Sequence, residues 1–365
     1  MKLGAGGAGA APIAFKGRGA ASNPQGRFER QGREAVDDGW VCEGADSRGS
    51  RTEVTLRQAR TIISRNQSPD VPFSQSINPY QGCEHGCIYC YARPSHAYLG
   101  LSPGLDFETK LFAKTNAVQL LHAELSRPGY RCEPISLGAN TDPYQPIERT
   151  YKITRGVLEV LSECNHPLGI VTKSALVERD LDLLAAMARK GLVQVFISIG
   201  TLDHELMRRL EPRTTAPKRR LEVLRALSAA GVPCGVLVAP LIPFLNDSDM
   251  ETVLQRSAEA GAAITGYQIL RLPYELKDLF KDWLERHYPL KATRIMSQIR
   301  QMRDGRENDP RFGARMRGER VFAELQERRF RLACERYGLN RHGRNQLDTT
   351  RFMPPAGTGQ MNLFE

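Results

Sequence analysis

Three closely spaced cysteines are the residues of this chain whose types and order point most directly to chemistry. Cys83, Cys87 and Cys90 form a C-x3-C-x2-C array in the run Cys-Glu-His-Gly-Cys-Ile-Tyr-Cys. Thiolates bind soft metal centres, so three of them in one short loop predict a metal site rather than disulfides. Gly82 and Gly86 allow the tight backbone that a loop wrapped around such a centre requires.

Two kinds of metal centre fit this array. A tetrahedral zinc site takes four ligands, and His85 or His96 would supply the fourth beside three cysteines. A [4Fe–4S] cluster held by three cysteines instead leaves one iron without a protein ligand, where a substrate can bind directly. We favour the cluster, and the spacing by itself leaves the zinc alternative open.

Strands and helices that position this loop follow from short apolar runs alternating with amphipathic segments. We predict a strand-like stretch at 76–79, just before the loop, and five later strands over residues 135–137, 168–172, 193–199, 232–238 and 265–270. Strands joined by helices run parallel. About six such units predict an α/β fold, a partial parallel (β/α)6-type barrel whose chemistry lies at the carboxyl ends of its strands.

Three of the intervening helices have clear boundaries in the sequence. Apolar residues recur at helical spacing from Leu181 to Ala188. A second helix begins at Thr215, with Pro217 in its first turn, and stops at Gly231. Ser248 and Glu251 have the spacing of a capping box and predict the start of a third helix.

The chain divides into four parts by composition. Residues 1–50 are rich in Gly, Ala and Arg without a sustained period, which predicts a flexible tail. Residues 51–275 contain the barrel, and residues 276–351 form a basic helical extension. A second tail, 352–365, begins with a Pro/Gly spacer.

Basic residues concentrate in the C-terminal third. The chain has 51 Lys and Arg against 41 Asp and Glu, and residues 291–351 alone hold sixteen basic and eight acidic side chains. Arginine forks match phosphate oxygens, and aromatic faces stack on bases, so this region is predicted to contact nucleic acid or another polyanion. The alternative is a solvated helical face, because Arg328, Arg329 and Arg331 lie among glutamates at salt-bridge spacing.

Composition excludes membrane-embedded and largely disordered proteins. Apolar residues make up 41% and charged residues 25% of the chain, as in ordinary soluble domains. No stretch reaches the ~18 uncharged apolar residues of a spanning helix. The start, Met1 to Ala11, is Gly and Ala with a single Leu, which is unlike a secretory signal. We expect a cytoplasmic protein without membrane contact, whose cysteines serve as thiols or metal ligands.

The chain resembles the radical SAM superfamily. A C-x3-C-x2-C loop after the first strand, with an aromatic residue (Tyr89) before the last cysteine, is that family's signature. Further segments resemble its branch related to spore photoproduct lyase, whose members are often described as DNA-repair-photolyase-like. They are Ser-Leu-Gly-Ala-Asn-Thr-Asp-Pro-Tyr-Gln-Pro-Ile-Glu at 136–148, Val-Thr-Lys-Ser at 171–174, Leu-Glu-Pro-Arg-Thr at 210–214 and Val-Ala-Pro at 238–240.

The resemblance implies a [4Fe–4S] cluster and S-adenosylmethionine as cofactors. The three loop cysteines would hold the cluster, and S-adenosylmethionine would bind the remaining iron, with Tyr89 near its adenine. An electron from an external donor then cleaves the sulfonium to methionine and a 5′-deoxyadenosyl radical, which abstracts a hydrogen atom. Glu211 and Arg220 are implied as a supporting pair, which the residues alone leave open between an ion pair of the fold and part of the site.

The family's remaining contacts correspond to residues at the strand ends. Asn140, Thr141 and Asp142 follow the second strand, where the family contacts the methionine amino group. Lys173 ends the third strand and would pair with the methionine carboxylate, and Ser198 on the fourth is implied as a ribose or carboxylate contact. From the residues alone, each site has a structural alternative: a turn at Asp142, a solvated end at Lys173 and a barrel-wall position at Ser198.

One departure limits the expected reaction. Spore photoproduct lyase uses a cysteine at the end of the second strand to return a hydrogen atom to its product. Residues 137–142 contain no cysteine here, and Cys132 lies upstream of that strand. We therefore do not predict reversal of thymine dimers.

We accordingly predict a radical SAM enzyme that acts on a nucleic acid or a nucleic-acid-associated substrate. A second hypothesis is radical modification of a protein or small molecule, with the basic region serving solubility or assembly. A third is a zinc-stabilised nucleic-acid-binding module without catalysis.

The last residues suggest a protein partner. Gln360, Leu363 and Phe364 in the run Gln-Met-Asn-Leu-Phe resemble the peptide by which bacterial repair and replication proteins bind the sliding clamp. An apolar pair on a tether suits an apolar pocket of a partner. The alternative is a tail that packs on its own domain.

Overall fold

The computed structural model describes residues 17–29, 51–341 and 347–355. Its strands are β1 (Glu53–Arg57), β2 (Ile63–Arg65), β3 (Gln75–Ile77), β4 (Tyr80–Gln81), β5 (Lys110–Lys114), β6 (Ile135–Leu137), β7 (Leu168–Thr172), β8 (Val193–Ser198), β9 (Cys234–Leu241) and β10 (Ile264–Ile269). Its α-helices are α1 (Asp106–Thr109), α2 (Ala117–Leu125), α3 (Glu148–Tyr151), α4 (Ile153–Glu163), α5 (Leu181–Ala188), α6 (His204–Leu210), α7 (Pro217–Ala229), α8 (Met250–Glu259), α9 (Leu276–His287), α10 (Pro289–Gln301), α11 (Ala314–Arg317) and α12 (Arg320–Tyr337). Short 3₁₀ helices cover Arg93–Leu99, Ala175–Asp180 and Asp247–Asp249.

Seven strands form the main sheet in the order β10-β9-β8-β7-β6-β3-β2. Every neighbouring pair is parallel except β2 with β3, which is antiparallel. Helices cross over between successive parallel strands, as parallel pairing requires. The α/β class and its parallel sheet are therefore confirmed.

Apolar residues at matching registers build the core of the sheet. Leu137 of β6 lies beside Ile170 of β7, and Ile170 lies beside Val195 of β8. All three side chains are fully buried. Helices on the faces of a parallel sheet bury its strands, which explains the near-continuous apolar runs that made these strands predictable.

Most strand and helix boundaries agree with the sequence predictions to within two residues, although β9 ends at Leu241, three residues after its predicted end. The cap of one helix was predicted wrongly. Asp249 is the N-cap of α8, without a capping bond from its side chain, and Ser248 lies in the preceding 3₁₀ turn. The predicted capping box is therefore wrong. Glu251 is instead held by Arg329 of α12, with Nη2 to Oε2 at 2.6 Å. A tertiary ion pair thus uses the carboxylate that the local pattern assigned to the cap.

The first described segment, residues 17–29, packs against the body of the protein. Ala20 is buried, and its N–H donates to Glu108 Oε1 at 2.8 Å. Arg27 pairs with Glu275 at 3.0 Å. A Cβ on Gly19 would lie 1.9 Å from the carbonyl oxygen of Gly86, so only glycine allows this approach. This part of the predicted flexible tail is therefore ordered on the surface that supports the cysteine loop; the rest of the tail lies outside the described residues.

A small second sheet leads into the cysteine loop. Its order is β1-β5-β4, with β1 parallel and β4 antiparallel to β5. Strand β4 ends at Gln81, and Cys83 then donates its N–H to the carbonyl of Phe107 at 2.9 Å. The loop is thus fixed at its start by the segment just before β5.

Helices α9 to α12 follow the last strand of the main sheet. Trp283 of α9 is buried and donates its indole N–H to the carbonyl of Arg209 at 3.1 Å. The Phe330 ring of α12 lies 4.7 Å from the Tyr267 ring of β10. Across the described ranges, no helix is both long and apolar enough to span a bilayer.

Candidate functional site

Successive turns fold the cysteine loop so that its thiols lie together. Gly86 donates to the carbonyl of Cys83 at 3.3 Å, and Cys90 donates to that of Cys87 at 3.2 Å. Cys83 and Cys87 are buried and Cys90 is partly buried. Gly86 has a φ of +67° and a Cβ there would approach Glu108 Oε2 at 2.7 Å, so the turn requires glycine.

The three thiols influence one another electrostatically. Burial raises the pKa of Cys87, and Glu211 and the neighbouring cysteines raise it further, while Lys173 opposes them. Burial and Cys83 likewise raise the pKa of Cys90. The thiols therefore lie close together in a largely buried space, near the positive charges of Lys173 and Arg93.

This donor set fits an iron–sulfur cluster better than a single ion. Among the residues that the structure describes, no three His, Cys, Asp or Glu side chains are arranged to hold one metal ion. A cluster binds each thiolate at a different iron, so its cysteines need not converge on one point. His96, one of the two histidines considered as a fourth zinc ligand, is directed to the carbonyl of Lys110, 3.0 Å from its Nε2.

A buried arginine supports the loop from below. The Arg93 side chain is fully buried and donates to the carbonyl oxygens of Cys87 at 2.8 Å and Gly86 at 3.1 Å. It also pairs with the fully buried Glu108. Backbone carbonyls that would otherwise be unpaired in the interior are thus satisfied by one guanidinium group. Arg93 was not identified from the sequence, because its position offers no signal that it is buried.

Asp142 joins two strand ends to the cysteine loop. Its carboxylate accepts hydrogen bonds from Thr172 Oγ1 at 2.7 Å and from the Lys173 N–H at 2.8 Å. His85 Nδ1 lies 3.3 Å from Asp142 Oδ2. Burial alone would raise the pKa of Asp142, but His85 and these hydrogen bonds lower it to about 2. Asp142 therefore lies in the turn after β6, the structural alternative that the sequence left open, and that turn is in contact with His85 of the cysteine loop.

His85 carries the complementary charge. Burial alone would lower its pKa, but Asp142 and Cys83 raise it to about 10. His85 is thus an ion-pair partner inside the loop, a role that its position between two of the cysteines did not reveal.

Asn140 and Thr141 are held by the turn before β4. The Asn140 N–H donates to Asn78 Oδ1 at 2.9 Å, and Thr141 Oγ1 donates to the carbonyl of Tyr80 at 2.9 Å. Asn78 was not identified from the sequence. These bonds fix the turn after β6 next to the cysteine loop. They use the Asn140 N–H and the Thr141 hydroxyl, and not the side-chain amide of Asn140.

Tyr89, Glu211, Arg220 and Ser198 form one connected network. The Tyr89 hydroxyl donates to Glu211 Oε1, and Arg220 pairs with Glu211 while its Nη1 donates to the carbonyl of Ser198 at 2.7 Å. The Arg220 and Glu211 side chains are 0% and 2% exposed. The Ser198 hydroxyl lies 3.4 Å from the carbonyl of Ala239. The fold thus brings together predicted residues from the cysteine loop, β8, the end of α6 and α7.

Lys173 lies over the same loop. Its Nζ is 5.9 Å from the centroid of the Tyr89 ring, and it lowers the pKa values of Cys87 and Cys90 relative to burial alone. A cation on this side of the loop suits an anionic group of a cofactor.

The turn after β6 contains Ala139 and lacks the cysteine that the lyase reaction would need. The Tyr91 hydroxyl donates to the carbonyl of Ala139, so the Tyr91 side chain lies next to the carboxyl end of β6. Cys132 precedes β6 and so lies at the opposite end of that strand. Tyr91 was not identified from the sequence, although it directly follows Cys90.

Comparisons with known proteins identify the family. Residues 77–256 match the family model of the Radical SAM superfamily. An uncharacterised protein of Mycobacterium tuberculosis (strain H37Rv) is 40% identical over 254 residues, which cover 68% of this chain and 74% of the relative. The chain belongs to the radical SAM superfamily. The predicted resemblance is confirmed, and the protein is an enzyme of the radical SAM class, whose cofactors are S-adenosylmethionine and a [4Fe–4S] cluster.

Further proteins extend the comparison. An uncharacterised protein of Methanocaldococcus jannaschii is 27% identical over 240 residues, 66% of this chain and 85% of the relative. Spore photoproduct lyase complexed with dinucleoside spore photoproduct has the same fold, with a TM-score of 0.54 and 18% identity over 78% of this chain and 80% of that chain. A double mutant of that lyase with bound AdoMet and dinucleoside spore photoproduct also has a TM-score of 0.54.

Proposed function

We propose that this radical SAM enzyme cleaves S-adenosylmethionine reductively at a [4Fe–4S] cluster held by Cys83, Cys87 and Cys90. We propose further that its substrate is a nucleic acid or a nucleic-acid-associated molecule. The observation that carries the first proposal is the convergence of the buried cysteine loop with Lys173 and the Tyr89 network at one end of the parallel strands. Parallel α/β sheets bind ligands at this end.

Each residue of the site has a defined task in this proposal. The three cysteines would hold the [4Fe–4S] cluster, which together with S-adenosylmethionine would supply the one-electron reductive cleavage that starts radical chemistry. Lys173 binds the methionine carboxylate. The Tyr89 ring contacts the adenine, and its hydroxyl is fixed by Glu211, which Arg220 holds in turn.

The turn after β6 supplies the contacts to the methionine amino group. Asp142 is committed to Thr172, Lys173 and His85, so it acts mainly by positioning. The Asn140 side chain and the carbonyl groups of this turn then contact the amino group directly. Ser198, 3% exposed on β8, would contact the ribose through a small rearrangement of its hydroxyl.

Two observations support a nucleic-acid substrate. The lyase with this fold is complexed with a dinucleoside spore photoproduct, and residues 291–351 of this chain, with sixteen basic and eight acidic side chains, carry most of its excess of positive over negative charge. Ala139 follows β6, so the reaction proposed does not use a cysteine there as hydrogen donor. Modification of a protein or small molecule is the second candidate, since arginines of α12 are paired with glutamates.

Formation of 5′-deoxyadenosine tests the proposal. Anaerobically reconstituted protein is reduced with dithionite and assayed with S-adenosylmethionine, alone and with single-stranded or duplex DNA or RNA. Cys87→Ala should abolish the product, whereas the matched control Cys132→Ala should retain it. Product that depends on Cys87 and rises with DNA or RNA supports both proposals. Product indifferent to every nucleic acid overturns the substrate, and no product from protein with four irons overturns the chemistry.

A further inference from the structure

Two arginines near the cysteine loop, Arg271 and Arg303, have buried hydrogen-bond donors without a partner among the described residues. Arg303 is 1% exposed, and its Nη2 donates to the carbonyl of Leu270, directly after β10. Its Nε and Nη1 have no hydrogen-bond partner among the described residues. Buried guanidinium nitrogens without acceptors are costly, because desolvation is then uncompensated. Such a group indicates that an acceptor belongs there.

Arg271 lies close to Arg303 and follows the carboxyl end of β10. Its Nε is also buried without a partner in the part of the chain that the structure describes, and its Nη1 contacts the weak acceptor Met316 Sδ at 3.7 Å. The guanidinium carbon lies 5.9 Å from the centroid of the Tyr91 ring, the residue after Cys90. Tyr91 is 45% exposed and Arg271 is partly exposed, so the pair borders solvent on the side of Arg271, next to the cysteine loop.

The nearby carboxylates are held by other arginines. Asp70 pairs with Arg315, and its side chain is 8% exposed; Asp309 pairs with Arg311 at 2.6 Å. Burial and the charge of Arg271 lower the pKa of Arg303 to about 10, against the opposite effect of Asp309. Positive charge is therefore in excess at the pair even with both carboxylates counted.

Several cations of the C-terminal extension differ from this pair, because they already have partners on the surface. Arg317 pairs with Glu327 at 2.9 Å and Arg331 with Glu335 at 3.1 Å. Arg300 pairs with Glu307 at 2.7 Å. The glutamates neutralise these surface arginines, which leaves little charge to attract an anion. Arg271 and Arg303, by contrast, retain N–H donors without an acceptor among the described residues.

We propose that Arg271 and Arg303 form an anion site that takes a phosphate group of the substrate, a phosphodiester of the nucleic acid inferred above. Guanidinium groups present donors in a planar fork that fits two phosphate oxygens. A phosphate here would supply the missing acceptors and hold the adjoining nucleoside over Tyr91, at the carboxyl ends of the strands. This inference rests on the proposed nucleic-acid substrate and assigns the residues that recognise it.

Binding of single-stranded DNA tests the site. A fluorescein-labelled oligonucleotide is titrated with the reconstituted protein, its Arg271→Gln variant and the control Arg328→Gln, whose side chain is exposed on α12. Loss of one charge-assisted donor group should weaken binding about tenfold for Arg271→Gln. The slope of log affinity against log salt should become shallower by about 0.7. Equal effects of both variants would assign binding to overall charge and overturn the site.

Inorganic phosphate provides a measurement that needs neither DNA binding nor activity. An anion that binds the folded state raises its melting temperature. Sodium phosphate should therefore stabilise the wild-type protein more than sodium chloride of equal ionic strength, and Arg271→Gln should lose this difference. Stabilisation that persists in Arg271→Gln, or is absent in the wild type, overturns the anion site.

The two measurements separate this inference from the proposed function. Phosphate stabilisation without any effect of DNA or RNA on 5′-deoxyadenosine retains the anion site and removes the nucleic-acid substrate. DNA-dependent 5′-deoxyadenosine that is unchanged in Arg271→Gln retains the proposed function and rejects the site.

Discussion

The buried pair of Arg93 and Glu108 should determine whether the cysteine loop is formed at all. Both side chains are fully buried. Arg93 donates to four backbone carbonyls of the loop and the adjoining turn, those of Gly86, Cys87, Pro103 and Gly104. Glu108 accepts from the N–H groups of Gly19 and Ala20. One ion pair thus connects three chain segments beneath the proposed cluster.

We predict that Glu108→Gln destabilises the protein by about 3–5 kcal/mol, because the Arg93 charge is left buried without a counter-ion. The new amide also sets an N–H group against the donors of Gly19 and Ala20 or withdraws an acceptor from Arg93. The matched control is Glu205→Gln, which removes an exposed ion pair with Arg209 and should cost at most about 1 kcal/mol.

Chemical denaturation followed by circular dichroism measures both variants, and iron content after reconstitution reports the loop itself. Glu108→Gln should shift the unfolding midpoint strongly and retain less iron than the wild type. A loss of stability no larger than that of the Glu205 control, together with full iron content, would refute the argument. The pair would then be no more than one local contact among many.

Three further predictions follow from other parts of the chain. Lys173→Gln should weaken S-adenosylmethionine binding by tenfold or more in equilibrium dialysis, and Lys173→Arg should restore part of it; equal affinities of wild type and Lys173→Gln would contradict the role. Burial lowers the pKa of His166 to about 4, below its unfolded value of ~6.5, so about 3 kcal/mol of stability should be lost as pH falls from 6.5 to 4. His166→Gln should flatten that dependence in thermal melts, and an unchanged slope would contradict it. Replacing Leu363 and Phe364, which lie outside the described residues, with Ala should abolish binding of the full chain to a bacterial sliding clamp in surface plasmon resonance, and undiminished binding would reject the tail as the docking peptide.

The sheet could be predicted because its strands are buried on both faces. The apolar runs at β7 and β8 are interrupted only by Gly169 and Gln194, and the predicted bounds of β6 and β7 agree with the structure. Short helices depend more on tertiary contacts. At α8 the local capping pattern failed, because Arg329 is far along the chain yet close in space to Glu251.

The site was predictable where chemistry requires a particular residue type. Cysteine spacing identified the loop, and the strand-end residues followed from the family resemblance. Arg93, Asn78 and the ion-pair role of His85 were missed because a buried arginine, a turn asparagine and an ion-paired histidine have the same local sequence environment as exposed ones. Their roles arise from burial and from partners such as Glu108 and Asp142, which no local pattern specifies.

The density of basic residues along the sequence is also a poor guide to where an anion binds. Sixteen basic residues in 291–351 suggest a polyanion surface, yet several of these cations are paired with carboxylates only a few residues away, as Arg331 is with Glu335. A paired surface arginine has lost much of its attraction for phosphate, whereas a buried arginine without an acceptor retains its donors at low dielectric. Arg303 belongs to the basic region and Arg271 does not, but together they lie beside the loop. Binding of an anion should therefore depend on which donors the fold leaves unpaired, more than on where positive charge is densest along the chain.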